Sequence, residues 1–194
     1  MFSVNIDKIV GMTDNEKKCY EELRENLKKE LNGGKVLAIT KNGIGAFKIA
    51  YSFVCAGEKV LFIDADIMSE IFLGKYKLGK NLKGFTDYFQ EDEAIHDLVC
   101  KTNRKNLDII FTGETQEFDK ADILDSEFSD FRDCLVEQDD YVIVHTGDNY
   151  DIAAKCDASV ILLKQSDYSE MSAESKVDFL DSNGCFVLGL VVEE

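Results

Sequence analysis

Short apolar segments alternate with helical segments along the whole chain, and this alternation constrains the fold more than any other feature. The predicted strands are Lys35–Thr40, Lys59–Ile63, Leu107–Phe111, Tyr141–His145, Ala158–Leu163 and Phe186–Val192. Strands that are buried on both faces are nearly continuous apolar runs, as these are. The pattern therefore predicts an α/β fold, with a mostly parallel sheet and helices on both faces. Ligands of such sheets bind beyond the carboxyl ends of the strands.

Helical periodicity predicts the segments between the strands. The N-terminal helix is clearest, because Tyr20, Leu23, Leu27 and Leu31 recur at three- and four-residue spacing, with Asp14 as the expected N-cap. The predicted helices are Asp14–Leu31, Ala46–Ala56, Thr86–Phe89, Glu91–Cys100, Ala121–Glu137 and Ser169–Ser182. We therefore predict one domain over residues 14–194, preceded by an N-terminal extension at residues 1–13.

Composition excludes several classes of function. The chain has 194 residues, a hydrophobic fraction of 45% and a net charge of −16. Strong acidity disfavours nucleic acid and anionic membranes as partners, because both are bound through clustered Lys and Arg. No apolar stretch approaches the ~18 residues of a membrane span, and no secretory signal begins the sequence. We expect a cytoplasmic protein, which a partner could recruit to the inner face of the membrane.

The cysteines do not form a recognisable metal or redox motif. There are six, widely scattered, with no C-x-x-C pair. Structural zinc sites need close ligand pairs, so we expect reduced, mostly buried cysteines that act as small hydrophobic residues.

A glycine-containing turn after the first predicted strand has the position of a phosphate-binding loop. Such a loop needs glycines so that backbone N–H groups converge on phosphates, a lysine for the β and γ oxygens, and a Ser or Thr for Mg²⁺. Here Gly43 and Gly45 are present, but Ala46 and Phe47 stand where the lysine and the hydroxyl are expected. Either the segment is a plain strand-to-helix turn, or a lysine outside the usual position, Lys41 or Lys48, contacts an anion.

Two aspartates follow the second predicted strand. Paired carboxylates at a strand's carboxyl end are costly without a cation or hydrogen-bond donors, so Asp64 and Asp66 are candidates for binding Mg²⁺ and for catalysis. A loop with helix-capping aspartates is the alternative. The strand Tyr141–His145 has the form of a second magnesium strand, but it ends in His145 instead of an aspartate. An imidazole cannot replace that carboxylate, so we predict a buried or half-buried, hydrogen-bonded histidine.

The order of these segments resembles the bacterial tyrosine kinases of capsular and exopolysaccharide biosynthesis, which are deviant-Walker-A P-loop ATPases related to the MinD and ParA types. The resemblance runs from about residue 14 to residue 192, which is nearly the whole chain. It rests on the helix Tyr20–Leu27 and on the segments Val60–Asp66, Gly84–Phe89, Asn106–Gly113, Ala121–Leu124, Tyr141–Thr146 and Leu188–Val192.

The resemblance implies a kinase domain that binds ATP and Mg²⁺, pairs with a membrane activator, oligomerises through its N-terminal helix and phosphorylates tyrosines in its own C-terminal tail. Asp64 and Asp66 match the family's acidic pair. Arg24 matches one of two arginines in the oligomerisation helix, whereas Glu21 replaces the other and Lys18 replaces a glutamate.

The departures from the family favour a pseudoenzyme. The phosphate loop lacks its lysine and hydroxyl, the segment between Thr40 and Gly57 is several residues short, the second acidic strand ends in His145, and no tyrosine cluster ends the chain. We therefore expect a non-catalytic regulator or scaffold that binds a membrane activator or a kinase homologue, with possible homo-oligomerisation and no required cofactor. Gly43, Gly45 and Lys48 would be a vestigial phosphate site. The alternatives are an active ATP-dependent kinase, with Asp64 and Asp66 holding Mg²⁺, and a MinD-like or ParA-like positioning ATPase.

Overall fold

A computed structural model describes residues 3–67, 83–91, 93–113, 123, 125–137 and 139–193. Its centre is an eight-stranded sheet in the order β1-β4-β5-β3-β6-β2-β7-β8. The strands are β1 Ser3–Val4, β2 Val36–Lys41, β3 Val60–Asp64, β4 Val99–Thr102, β5 Leu107–Ile110, β6 Tyr141–Gly147, β7 Ala158–Lys164 and β8 Val187–Glu193. Every pairing is parallel except β4 with β5. The predicted α/β fold with a mostly parallel sheet is confirmed.

The helices cover both faces of this sheet. They are α1 Asp14–Leu31, α2 Gly43–Cys55, α3 Phe85–Glu91, α4 Ile95–Leu98, α5 Asp125–Val136, α6 Tyr150–Ala153 and α7 Glu170–Ser182, with a short 3-10 turn at Gln165–Asp167. One core cluster lies between the sheet and α1 and α2, and a second lies on the opposite face with α3, α5, α6 and α7. All five residues of β3 are buried, which explains their continuous apolar sequence.

The first residues join the same core. Ser3 and Val4 of β1 pair in parallel with β4, and Ile6, Ile9 and Val10 are buried in the cluster that contains α1 and α2. The division at residue 13 stays a prediction, but residues 3–13 extend the sheet by one strand and contribute to its core.

Two predicted boundaries are wrong, each for a local reason. The N-cap of α1 is Thr13 rather than Asp14, because Thr13 and Glu16 form a reciprocal capping box. The predicted helix Glu91–Cys100 shortens to α4, and its last residues enter β4, where antiparallel pairing with β5 overrides helix propensity. The predicted helix Ala121–Glu137 is described as Asp125–Val136, and residues 121, 122 and 124 lie outside the described residues.

The cysteines divide evenly between core and surface. All six are free thiols; Cys100, Cys156 and Cys185 are buried, whereas Cys19, Cys55 and Cys134 are exposed. The prediction of mostly buried cysteines is therefore wrong for half of them. Among the described residues, no helix has both the length and the apolar character that crossing a membrane requires.

Candidate functional site

The connection from β2 to α2, where the phosphate loop was predicted, is a single residue. β2 ends at Lys41, Asn42 is the N-cap, and α2 begins at Gly43. The Asn42 side-chain oxygen accepts a hydrogen bond from the backbone N–H of Gly45 at 3.3 Å. Gly43 and Gly45 therefore lie in the first helical turn, and the prediction of a glycine turn is wrong. A phosphate-binding loop needs several consecutive non-helical residues whose N–H groups converge, and one residue cannot supply them.

The backbone at Lys41 shows how sharp this connection is. Lys41 has a φ of 75°, and the N–H of Asn42 donates to the Thr40 carbonyl at 3.2 Å, so the three residues form a γ-turn with positive φ. Such turns are rare and strained. The Lys41 ammonium pairs with Asp148 and lies 6.0 Å from the centre of the Tyr150 ring. Burial lowers its pKa, and the nearby Lys176 lowers it further.

Lys48 points toward α1. Its Nζ lies 2.7 Å from Oε1 of Glu16 and 5.9 Å from the centre of the Tyr20 ring. The hydrogen bond from Lys48 is the largest of the effects that lower the pKa of Glu16 to about 2. Lys48 therefore forms part of the contact between α1 and α2.

His145 and Asp64 form a buried pair at the carboxyl ends of two adjacent strands. The Nδ1 atom of His145 lies 3.0 Å from Oδ1 of Asp64, and its Nε2 atom lies 3.3 Å from the Lys41 carbonyl. The Lys41 carbonyl can only accept, so a hydrogen bond at that distance requires a proton on Nε2, whereas the roles of Nδ1 and Oδ1 depend on the tautomer. Burial raises the pKa of the Asp64 carboxyl, and the hydrogen bond with His145 opposes that rise. The predicted buried, hydrogen-bonded histidine is confirmed.

The imidazole of His145 fills the space next to the first turn of α2. A Cβ atom built on Gly43 would lie 2.8 Å from Cε1 of His145, closer than real Cβ contacts. Gly43 is therefore required for the close approach of helix and ring. The ring occupies space that a bound group between β6 and the start of α2 would need.

A carboxylate that the sequence analysis missed contacts the same turn of α2. Glu193, at the end of β8, accepts hydrogen bonds from the Tyr20 hydroxyl and from the side-chain amide of Asn42. Its Oε1 would lie 2.8 Å from a Cβ built on Gly45. Burial and the hydrogen bond to Glu193 raise the pKa of Tyr20. Anions are stabilised at helix N-termini, and phosphates bind there in P-loop proteins, so here the chain supplies its own anion.

Asp66 packs under the end of β6. Gly147, the last residue of β6, has a φ of 55°, and an added Cβ there would collide with the Asp66 carboxyl group. Only glycine combines this backbone conformation with so close an approach. Asp66 itself is buried, and its backbone N–H lies 3.4 Å from Oδ1 of Asp64. The structure therefore brings the two predicted aspartates together, close to His145.

The donors at this edge differ from the usual set of a Mg²⁺–triphosphate site. Mg²⁺ prefers an octahedral set of oxygen ligands and usually uses carboxylates plus phosphate oxygens. Here an Asp64 oxygen is shared with His145, and an imidazole stands at the second acidic position. In the described part of the chain, no group of three or more His, Cys, Asp or Glu side chains is placed to hold a metal ion.

Arg24, the predicted oligomerisation residue, makes contacts within the chain. It donates to the Ser52 carbonyl of α2 at 2.9 Å and pairs with the neighbouring Glu25. Its side chain is only 12% exposed. The oligomerisation role of Arg24 stays a prediction.

Comparison with known proteins identifies the relatives of this fold and site. The tyrosine-protein kinase CpsD of Streptococcus pneumoniae serotype 4 is 27% identical over 187 residues, which cover 90% of this chain and 82% of that protein. CpsD of Streptococcus agalactiae is 25% identical over 187 residues, with 90% and 82% covered. The similarity to the bacterial tyrosine kinases is confirmed. No protein-family model matches the chain.

Solved structures agree on the fold. The kinase domain of Escherichia coli tyrosine kinase ETK superimposes with a TM-score of 0.82 at 17% identity, covering 93% of this chain and 77% of that one. MinD of Pyrococcus horikoshii, complexed with Mg-ADP, gives a TM-score of 0.59 at 16% identity, with 81% and 69% covered. The chain therefore has the P-loop NTPase-type fold that the sequence analysis predicted.

Proposed function

We propose that this protein is a degenerate relative of the bacterial tyrosine kinases that does not catalyse phosphoryl transfer. It regulates or scaffolds capsular or exopolysaccharide synthesis through protein partners. The observation that carries the proposal is the self-filled start of α2, where Glu193 supplies a carboxylate and His145 packs against Gly43.

Charge makes this arrangement unfavourable for nucleotide. A phosphate that approached the start of α2 would meet the negative charge of Glu193, and displacing Glu193 would break its hydrogen bonds to Tyr20 and Asn42. Hydrogen bonds to charged groups contribute ~1.5–3 kcal/mol each. The phosphate would also lack the backbone donors of a full loop, because only Asn42 separates β2 from α2.

The nearby lysines offer little compensation. Lys48 is paired with Glu16 on the α1 side, and Lys41 is paired with Asp148. Either ammonium would have to leave a carboxylate before it could bind a phosphate oxygen. The site therefore supports a role in which the fold is kept for interactions with other proteins.

The partners follow from the resemblance. Kinases of this type pair with a membrane activator, so a relative with the same fold would bind that activator or an active kinase homologue. Binding would recruit a cytoplasmic protein to the inner face of the membrane, and homo-oligomerisation is part of the same proposal.

Isothermal titration of the purified protein with ATP and with ADP, each with and without Mg²⁺, tests the proposal. Streptococcus pneumoniae CpsD is the positive control under the same conditions. We expect no binding heat up to millimolar nucleotide. Micromolar, Mg²⁺-dependent binding would overturn the proposal, and a kinase assay with Asp64→Ala as the inactive control would then follow.

A second titration tests the partner role. The protein is titrated with the purified cytoplasmic segment of a membrane activator and, separately, with CpsD. We expect binding to at least one of them, and we expect Asp66→Asn to retain it, since a scaffold does not use this carboxylate for chemistry. Loss of partner binding in a folded Asp66→Asn protein would contradict a scaffold role in which this carboxylate is not used.

One observation favours the alternative of an active enzyme with unusual ligation. Among the described residues, the hydroxyls of Thr40 and Thr146 are buried at the carboxyl ends of β2 and β6 without a hydrogen-bond partner. Buried polar groups without partners often contact water or an ion. In this alternative the two aspartates hold Mg²⁺, and Asp64→Ala abolishes ATP hydrolysis.

A further inference from the structure

The outer edge of β8 has no strand beside it in the described part of the chain. β8 pairs with β7 on one side and ends the sheet order on the other. Its residues are half-buried or exposed, unlike the buried residues of β7. An edge strand presents backbone N–H and C=O groups outward and can pair with another chain.

Two exposed apolar side chains, Phe186 and Val192, lie at the two ends of β8. In the part of the chain that the structure describes, the exposed large hydrophobic residues all lie between residues 165 and 193: Tyr168 at 48%, Phe179 at 44%, Phe186 at 61% and Val192 at 39%. Phe186 directly precedes β8 and Val192 is near its end, so they are roughly 20 Å apart at the ~3.3 Å rise per residue of a strand. An extended segment along β8 would cover both.

The strand lacks most of the features that protect sheet edges. Natural edges are blocked by Lys, Pro, bulges or a covering element. β8 has one register shift, between Val187 and Gly189, and pairs regularly with β7 from Gly189 to Glu193. No Lys, Arg or Pro occurs in Val187–Glu193, so a regular stretch remains for pairing.

Charge selects the kind of partner. The sequence from residue 164 to residue 193 contains two lysines and six carboxylates, a net charge of −4: Lys164, Lys176, Asp167, Glu170, Glu174, Asp178, Asp181 and Glu193. A second copy of the chain would bring another net charge of −16 to the same edge. A basic segment of a partner would therefore be attracted to this acidic region, whereas a second copy of the chain would be repelled by it.

We propose that the outer edge of β8 binds an extended basic segment of a partner protein, which adds a strand to the sheet. Its backbone pairs with Gly189–Glu193, its apolar side chains cover Phe186 and Val192, and its Lys or Arg side chains face the acidic C-terminal region. The proposal uses the outward backbone groups of β8 and does not rest on the proposed function, which concerns the Glu193 side chain at the start of α2.

Fluorescence anisotropy with a designed probe tests the proposal. The probe is a labelled peptide of alternating Val and Thr flanked by two Lys at each end, and the matched control peptide carries Glu in place of Lys. We expect the basic peptide to bind and the acidic peptide to bind at least about tenfold more weakly. Equal binding of the two, or no binding of the basic peptide at millimolar concentration, would overturn the proposal.

Backbone pairing needs its own readout. Hydrogen exchange should slow at amides of Gly189–Glu193 when the basic peptide is added. In addition, N-methylation of alternate peptide residues should abolish binding in one of the two possible registers and spare it in the other. Loss in neither register would mean that the peptide binds by charge alone and does not pair as a strand.

A matched pair of protein variants locates the surface. Phe186→Ser should weaken binding about fivefold, because interface anchors contribute more than ~1 kcal/mol, whereas Tyr168→Ser, at a similarly exposed aromatic outside β8, should not. Both positions are exposed, so both variants should fold, which circular dichroism checks. If the two serine substitutions weaken peptide binding equally, the assignment of the binding surface to β8 is wrong. If the protein alone dimerises with rising concentration, the occupant of this edge is a second copy of the chain.

Discussion

Replacing His145 by leucine tests the buried pair at the centre of the site. In the variant the Asp64 carboxyl loses the hydrogen bond that opposes the effect of burial, so its pKa rises further. Removing one partner of a buried pair costs about 3–5 kcal/mol. The buried carboxylate can avoid this loss of unfolding free energy by binding a proton. At pH 7, about three units above the usual aspartate pKa, binding that proton costs about 4 kcal/mol, because each unit corresponds to about 1.4 kcal/mol. The loss of stability therefore cannot exceed about 4 kcal/mol at that pH.

The penalty should depend on pH with a defined sign. A carboxyl whose pKa is raised in the folded state binds more protons folded than unfolded, so its contribution to stability falls as pH rises above the usual aspartate range. We therefore expect the penalty to be small near pH 4 and to reach about 3–4 kcal/mol at pH 7. For a chain of this length that corresponds to a melting temperature lower by roughly 6 to 16 °C.

The double variant His145→Leu, Asp64→Asn isolates the carboxylate. Both proteins lack the ring and leave the Lys41 carbonyl without its donor, so these effects cancel in the comparison. Urea unfolding from pH 4.5 to pH 7.5 gives the difference in unfolding free energy between the two. A difference that does not grow with pH would refute the assignment of Asp64 as a buried carboxylate whose main partner is His145.

Three further substitutions test local features. Thr13→Ala should cost about 1 kcal/mol of unfolding free energy in urea denaturation, since it removes the capping box, whereas Asp14→Ala should cost at most about 0.5 kcal/mol; similar losses would contradict the assigned cap. Gly45→Ala should destabilise by about 1–3 kcal/mol because its Cβ meets neighbouring side chains, whereas Gly11→Ala, with nothing within 4 Å, should not; calorimetry of both decides. Glu16→Gln should flatten the acid unfolding curve, because a lowered carboxyl pKa, here about 2, stabilises the fold above the usual glutamate range and that contribution is lost as pH falls toward 2; an unchanged curve would mean that the ion pair does not form in solution.

The sheet was predictable because its strands are buried on both faces. Burial of β3, β6 and β7 requires continuous apolar runs, and those runs are visible in the sequence. The missed elements depend on tertiary contacts instead. β1 has only two residues and exists through pairing with β4, and β4 forms where antiparallel pairing overrides a helical pattern. Neither leaves a periodic signal in a single sequence.

Two features of the candidate site can be read from the sequence: the residues that its loop lacks and the position of its two aspartates. The missing lysine and hydroxyl, and the position of Asp64 and Asp66 after a strand, follow from residue order alone. The contacts of Glu193 at the start of α2 do not follow from residue order. Glu193 reaches Asn42 across 151 positions of sequence, and Tyr20 across 173. The available signal was an acidic residue at the carboxyl end of the last strand, the edge where the helix N-termini also lie.

Under the proposed function, the contacts of Glu193 and His145 stabilise the start of α2 without a nucleotide. The first turn of α2 has N–H groups that no helical carbonyl satisfies, and its dipole favours negative charge. In an ATP-binding relative the phosphates meet both needs. Here the Asn42 side chain accepts one N–H, the Glu193 carboxylate contributes the negative charge, and the His145 ring fills the adjacent space. Under the proposed function, adding a lysine alone would leave Glu193 and the one-residue connection in place, so we expect nucleotide binding to require a longer loop and removal of this carboxylate together.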